Sequence, residues 1–255
     1  MFSEERREKI LEKLEKEERI LAKDLAEEYG LSIDSIRRDL SIMEEQGLLK
    51  RTHGGAIPIQ NVRTFAQPPS TRYGEGSIYQ NAIAKLAINY IKEGHTVFIG
   101  GATIHYVMLK YLPKNIRFSV ITNSVEIAYN LRTMKNVQTY LIGGKVKSSG
   151  NITDALATEF ASQFTIDLCF ATAGGLSSKG LSTATPEVAI FHKNVFNNSK
   201  KIVTLIEHFK FGIDSFSSMY PINKLDVIIT DEETTKEKIE NIRAQGVDVI
   251  IAKSE

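Results

Sequence analysis

The side chains best suited to chemistry fall into two groups. The first is a run of basic and hydroxyl residues, Ser32, Ser35, Arg37, Arg38, Lys50, Arg51 and His53. An arginine guanidinium forks onto the acceptor edge of guanine in a major groove, and serine hydroxyls near a helix start donate to phosphate oxygens. Lys50, Arg51 and His53 follow closely, where a β-wing would meet a nucleic-acid backbone or minor groove. The second group is a set of strand-end turns: Gly100-Gly101-Ala102-Thr103, Thr122-Asn123-Ser124, Gly143-Gly144-Lys145 and Gly174-Gly175-Leu176. Backbone N–H groups at such turns cradle anions, so a phosphate is the ligand they suggest. One glycine after a strand only permits a tight turn. The same arrangement at four strand ends is what points to a ligand, because open α/β sheets bind there.

These residues need elements to hold them. Ile10, Leu11 and Leu14 recur at helical spacing and predict an amphipathic helix near 3–18. A second helix is predicted over 22–29, stopped by Gly30, and a third over 33–46, capped by Ser32 and burying Ile36, Leu40 and Met43. A short strand then runs into Gly54-Gly55. Two helices joined by a tight turn, with a strand behind them, predict a winged helix-turn-helix. Residues 1–60 hold 11 basic and 14 acidic side chains, a net charge of −3. Such a domain binds DNA only if its positive charge is gathered on one surface, and Arg37, Arg38, Lys50 and Arg51 would gather it. On spacing alone, solvated helix faces or a module that docks on protein fit the same pattern.

Pro68-Pro69 and Gly74-Glu75-Gly76 then mark a linker. Beyond it, short β-branched runs recur at 96–99, 118–121, 137–142, 168–171, 202–206, 225–229 and 247–251. Helical patterns lie between several of them, at 79–91, 124–131 and 234–245. Continuous apolar strands alternating with helices predict a mainly parallel sheet covered on both faces. The expected organisation is a winged helix-turn-helix over 1–58, a linker over 59–76 and an α/β domain over 77–255.

Three stretches carry a resemblance: Ile20-Leu21-Ala22-Lys23-Asp24-Leu25-Ala26, Leu31-Ser32-Ile33-Asp34-Ser35-Ile36-Arg37-Arg38-Asp39-Leu40, and Glu44-Glu45-Gln46-Gly47-Leu48-Leu49-Lys50-Arg51-Thr52-His53-Gly54-Gly55-Ala56. Together they closely resemble the DeoR family of bacterial transcriptional regulators, and the likeness extends over a sensor domain from about 72 to 252. The resemblance implies a DNA-reading surface of Ser32, Ser35, Arg37 and Arg38, with Arg51 and His53 at the wing. It implies a sensor resembling sugar-phosphate isomerases, and repression of a carbohydrate-type operon relieved by a small phosphorylated metabolite. Thr122-Asn123-Ser124, Gly143-Gly144, Gly174-Gly175, Glu187 and Lys210-Phe211-Gly212 match the family pattern for the effector site, with Gly100, Gly101 and Thr103 at the first strand end.

The chain also departs from that pattern. Where the family has D-x-G-T-T, this sequence has Gly100-Gly101-Ala102-Thr103-Ile104. Glu207 stands for an aspartate, Phe209 for a serine, Tyr79-Gln80 for a glutamate–lysine pair and Phe191-His192 for a lysine–arginine pair. Replacing polar partners by apolar ones leaves a ligand's hydroxyls unpaired, so the ligand is expected to differ from the usual inducers, or sensing to be lost.

Composition supports a globular protein of one or two domains: 255 residues, 42% hydrophobic, 25% charged, net charge +1. The sequence has no long apolar run and opens on charged residues, so neither a membrane span nor a signal peptide is expected. One cysteine fits a reducing cytoplasm. An isomerase-like enzyme is the rival of another class. Gly100 has no side chain, the loop after Phe170 holds no carboxylate, and Asp167, Glu187, Glu207 and His208 form no recognisable acid–base signature. No catalytic residue, metal ligand or cofactor is assigned. The expected partners are a double-stranded DNA operator, a small phosphorylated metabolite and further copies of the chain, since paired half-sites need at least two reading heads.

Overall fold

The computed structural model describes residues 3–17, 19–45, 48–52, 54–57 and 73–254. The chain divides into two compact units, Met1–Asn61 and Val62–Glu255. The first begins with helix α1 (Ser3–Glu17), strand β1 (Ile20–Leu21), α2 (Ala22–Tyr29) and α3 (Ile33–Glu45), and closes with β2 (Lys50–Thr52) and β3 (Gly55–Ile57). Helix α2 stops at Gly30, which takes φ 64° and returns its N–H to the carbonyls of Ala26 and Glu27. Ser32 then accepts the Ser35 N–H at 3.2 Å and starts α3.

Ile10, Leu14, Leu25, Ile36, Leu40 and Met43 meet in one apolar core, which Leu49 and Ala56 close from the strands. The strands pair antiparallel in the order β1-β3-β2. This pairing requires glycine at 55, because a Cβ there would stand 1.9 Å from the Ile20 carbonyl oxygen.

The second unit holds a seven-stranded sheet. Its strands are β4 (Thr96–Ile99), β5 (Phe118–Thr122), β6 (Val137–Leu141), β7 (Leu168–Ala171), β10 (Ile202–Leu205), β12 (Val227–Asp231) and β13 (Asp248–Ala252). They lie in the order β13-β12-β10-β7-β4-β5-β6, and every pairing is parallel. Helices α4 (Ile78–Ala87), α5 (Thr103–Met108) and α6 (Val125–Leu131) bury one face, against Val97, Ile99, Leu168 and Phe170. Helices α7 (Ala155–Ala161), α8 (Pro186–Asn197) and α9 (Lys236–Arg243) bury the other, against Phe98, Cys169 and Ala171. Alternating side chains on buried strands thus feed two cores, as a doubly covered sheet requires.

Two helices (α7 and α8) and the small antiparallel sheet β11-β9-β8 (β8 Gly175–Ser177, β9 Gly180–Thr183, β11 Ser217–Pro221) go beyond what the sequence pattern predicts.

Because the sheet is parallel, all the strand-end turns lie along one edge. The chain starts at β4, adds β5 and β6 on one side, and then crosses to β7, β10, β12 and β13 on the other. The reversal falls between β4 and β7, and a crevice opens at such a switch point in open α/β sheets.

Candidate functional site

On the first unit, α3 presents Ser32, Ser35, Arg37 and Arg38 together. The Ser32 and Ser35 hydroxyls lie 2.9 Å apart at its start. Arg37 is exposed and leans on Asp34 at 3.3 Å. Arg38 is exposed and has no side-chain partner among the described residues. Arg51 is drawn back onto the helix: its Nη1 donates to Ser41 Oγ at 2.5 Å, and its backbone N–H donates to Glu44 Oε1 at 2.8 Å. The wing is thereby tied to the helix it flanks. His53 and the side chain of Lys50 lie outside the described residues.

Spacing gave no sign of the anchor behind this surface. Asp39, the next residue after the arginine pair, points inward and is buried; Arg6 of α1 donates to it at 2.7 Å. Helix α3 is therefore fastened to α1 through a charge pair as well as through its apolar stripe.

In the second unit the switch-point turns behave differently from one another. Gly101 requires glycine, since a Cβ would lie 1.8 Å from Asn151 Oδ1, and the Asn151 amide donates to the Gly101 carbonyl at 3.4 Å. A Cβ on Gly100 would stand 3.3 Å from the His105 ring. Thr103 opens α5, half-buried. Thr122, Asn123 and Ser124 are buried: Thr122 Oγ1 accepts the Ser124 N–H at 3.1 Å, Ser124 Oγ accepts from Ile127, and the Asn123 amide donates to the Ile152 carbonyl at 3.0 Å. Among the described residues Asn123 Oδ1 has no partner, nor has Thr172 Oγ1 just beyond β7.

Two turns expected to cradle a ligand anion are already engaged. At Gly143-Gly144, the following Lys145 N–H donates to Asp154 at 2.8 Å, so the turn holds the protein's own carboxylate. Backbone N–H groups of Ala157 and Lys145 keep the Asp154 carboxyl below its ordinary range. At Gly174-Gly175, the Gly174 N–H donates to the Ser182 carbonyl at 2.9 Å, and a Cβ on Gly175 would stand 2.3 Å from the Ile213 carbonyl. That pair serves strand pairing and close backbone approach.

Lys210 and Lys147 at this edge are paired. Lys210 Nζ lies 2.6 Å from Glu207, which also accepts from the Gln80 amide at 2.6 Å. Burial opposes ionisation of Glu207, yet Lys210 and Gln80 outweigh it and hold the carboxyl below its usual range. Lys147 lies 2.8 Å from Glu187, which accepts the Thr153 hydroxyl as well; the lysine lowers that carboxyl too. The His208 ring meets Asp231 at 2.7 Å, a pair hidden from spacing because Asp231 comes from another strand. His105 is buried, and burial together with His192 pushes it down to about 3, so it is neutral at physiological pH. Among the described residues no group of three or more His, Cys, Asp and Glu side chains is placed to hold a metal ion. Also among them, no helix is long and apolar enough to cross a membrane.

A winged helix-turn-helix with its arginines facing outward, followed in the chain by a parallel α/β unit with engaged charges at a switch point, defines a DNA-binding regulator with a sensor. Comparison with known proteins agrees. The DeoR C terminal sensor domain family matches residues 78–232, and the DeoR-like helix-turn-helix domain family matches residues 6–62. The chain belongs to the DeoR family of transcriptional regulators.

It is 28% identical to the HTH-type transcriptional repressor GlcR of Bacillus subtilis, over all of this chain and 98% of that one. It is 28% identical to the HTH-type transcriptional regulator GolR of Listeria innocua, over 99% of this chain and 100% of that one. It is 30% identical to the transcriptional repressor AccR of Agrobacterium fabrum, over 91% of each. Among solved structures, ribose 5-phosphate isomerase A of Neisseria gonorrhoeae matches 52% of each chain at 12% identity and a TM-score of 0.39, too slight a likeness to bear on activity.

Proposed function

We propose that the chain is a cytoplasmic repressor that occupies an operator as a dimer or higher oligomer and leaves it when a small phosphorylated metabolite binds the sensor. The observation that carries the reading is the exposed Arg37–Arg38 face of α3, seated on α1 through Asp39 and Arg6. In this reading Ser32 and Ser35 meet phosphates, Arg37 and Arg38 meet base edges, and Lys50, Arg51 and His53 meet the backbone beside them. Relatives named as repressors, including a glycerol-3-phosphate regulon repressor 28% identical over 87% of this chain, support repression and a phosphorylated effector.

The effector site we assign is the β4/β7 crevice, formed by Gly100, Gly101, Thr103, Thr122, Asn123, Ser124, Glu187 and Lys210. An anion there would compete with Glu207 for Lys210, and Asn123 Oδ1 calls for a ligand hydroxyl. The linked equilibrium works only if the ligand binds one conformation more tightly than the other. The site binds and does not turn over: its carboxylates Glu187 and Glu207 are held ionised by lysines rather than poised near neutrality as a general base would be.

The test is anisotropy binding of the full chain to DNA upstream of its own gene and neighbouring genes, at two salt concentrations, for wild type and Arg38→Ala. Site-selective binding lost in the variant, and release by a phosphorylated metabolite, are the expected results. A folded wild type that selects no site would overturn the reading.

A further inference from the structure

Within the second unit, the residues leading into α4 reach the switch-point site with their own side chains. The Tyr73 hydroxyl donates to the Gly101 carbonyl at 3.1 Å and stands 3.5 Å from Ser124 Oγ. Its ring stacks on Tyr106, with centroids 4.7 Å apart. The few residues that follow are held down closely. Asn81 donates to the carbonyls of Glu75, Gly76 and Ser77, and Lys110 donates to the Glu75 carbonyl at 2.6 Å. Gly76, at φ 74°, leaves no room for a side chain, because a Cβ would meet a Val107 methyl at 2.4 Å. Ser77 and Gln80 cap α4 reciprocally, and the Gln80 amide continues to Glu207, the partner of Lys210. From Tyr73 to Gln80 the segment thus touches the site at two points, Gly101–Ser124 and Glu207–Lys210.

We propose that Tyr73 is a positioning residue of the effector site, and that through it the residues leading into α4, from Tyr73 to Ser77, form part of that site. A carbonyl oxygen has two lone pairs, and that of Gly101 accepts from Tyr73 and from Asn151. The two donors fix the direction of the Gly100–Gly101 loop, and Tyr73 also bridges it to Ser124 on the neighbouring strand end. A ligand entering there meets the Tyr73 hydroxyl, and must bond it or displace it. In either case the segment responds. This rests on the reading of the crevice as a ligand site, but its first test needs no ligand.

The experiment is hydrogen-exchange mass spectrometry of the full chain as wild type, Tyr73→Phe and Tyr73→Ala. Phenylalanine keeps the stack on Tyr106 and removes only the hydroxyl. Losing one hydrogen bond should speed exchange of the Gly101–Thr103 amides about three- to tenfold in the ligand-free protein, and leave α9 and β13 unchanged. Tyr73→Ala should be at least as fast. If Tyr73→Phe exchanges like wild type and only Tyr73→Ala is faster, the residue is packing and the proposal fails.

The second arm adds inorganic phosphate as the probe. In the wild type, exchange should change together at 73–81 and at 100–103, and in Tyr73→Phe the two should separate. Phosphate that alters 100–103 but leaves 73–81 untouched in the wild type overturns the link to the residues leading into α4. Phosphate that changes nothing anywhere in the wild type speaks against an anion site, while the ligand-free comparison still decides the role of Tyr73.

Discussion

On α3 the Arg38 guanidinium stands in solvent with no side-chain partner among the described residues, whereas at the sensor edge Lys210 lies 2.6 Å from Glu207 and Lys147 lies 2.8 Å from Glu187. Under the proposed function, the same kind of charge is kept in two ways because the two partners would differ. DNA brings a dense row of phosphates whose counterions are released on contact, so exposed arginines need no preparation beyond a rigid helix beneath them. A small anion brings one or two charges and must gain more from the site than the internal carboxylate already provides. On that reading, the Lys210–Glu207 and Lys147–Glu187 pairs set a threshold that a weakly bound anion does not cross. The difference also shows where each unit is vulnerable: the reading head in its scaffold, the sensor in its pairing.

The scaffold is the place to break the comparison hardest. Removing Asp39 strands Arg6, whose side chain is only 12% exposed, as an unpaired charge. Asp39→Ala should cost the first unit about 3 kcal/mol, the usual scale for breaking a buried pair. Urea unfolding of the full chain would show an early transition absent from wild type, and operator binding would be lost with the arginines still present. An unchanged unfolding profile would mean that the apolar stripe alone seats α3.

Asp39 also shows what the sequence made readable. Apolar spacing, the Gly30 stop and the Ser32 cap were enough to place α2 and α3, because local backbone chemistry decides them. The inward turn of Asp39 depends on Arg6, thirty-three residues away, and no local signal carries it. The same holds in the sensor. The strand runs were readable as apolar segments, but α8 was not, although Thr185 caps it and Pro186 opens it; its mixed apolar and polar face showed no clean period. The turn glycines were found by spacing, yet whether a turn is free depends on what the fold brings to it: Asp154 at Gly143-Gly144, Ser182 at Gly174. Residues that pack at the strand-end turns from elsewhere in the chain, such as Asn151 and His105, carried no motif at all.

The next test removes an exposed cation. Arg38→Ala should weaken operator binding by about 2 kcal/mol, roughly thirtyfold, if the side chain reads a base, and should flatten the salt dependence by about one counterion if it meets a phosphate. Anisotropy titrations between low and moderate salt separate the two. Stability should not change, since Arg38 is exposed and its side chain makes no hydrogen bond or ion pair among the described residues. A stability loss would mean that the two units keep their charges less differently than the contacts show.

In the sensor the corresponding test removes the carboxylate and keeps the cation. Glu207→Gln retains the shape and leaves Lys210, 20% exposed, without its counter-charge. Phosphate should then bind about tenfold more tightly, or about 1.4 kcal/mol, because it no longer competes for the lysine. The variant should also gain thermal stability with added phosphate by mass action, where wild type gains less. Calorimetric titration of both proteins with inorganic phosphate measures the difference. Equal affinities would show that the Glu207 pairing sets no threshold.

The smallest effect concerns protons, and it separates the units by pH alone. His105 is pushed down to about 3 by burial and by His192, while in the unfolded chain it titrates near the ordinary 6.5. As pH falls below that value the unfolded chain takes up a proton that the folded sensor refuses, so the folded state loses stability with acid. Between pH 7.5 and pH 5.5 the loss is about 1.4 kcal/mol from this residue. His192, lowered chiefly by burial, acts in the same direction. The carboxylates held down by Lys147 and Lys210 lose their contribution only below the ordinary glutamate range, so they stay out of this window. Urea midpoints of the sensor transition at the two pH values should therefore differ in wild type and draw together in His105→Leu, which cannot take up the proton. If the variant keeps the full pH dependence, another group carries it, and the neutral imidazole beside Gly100 is simply packing.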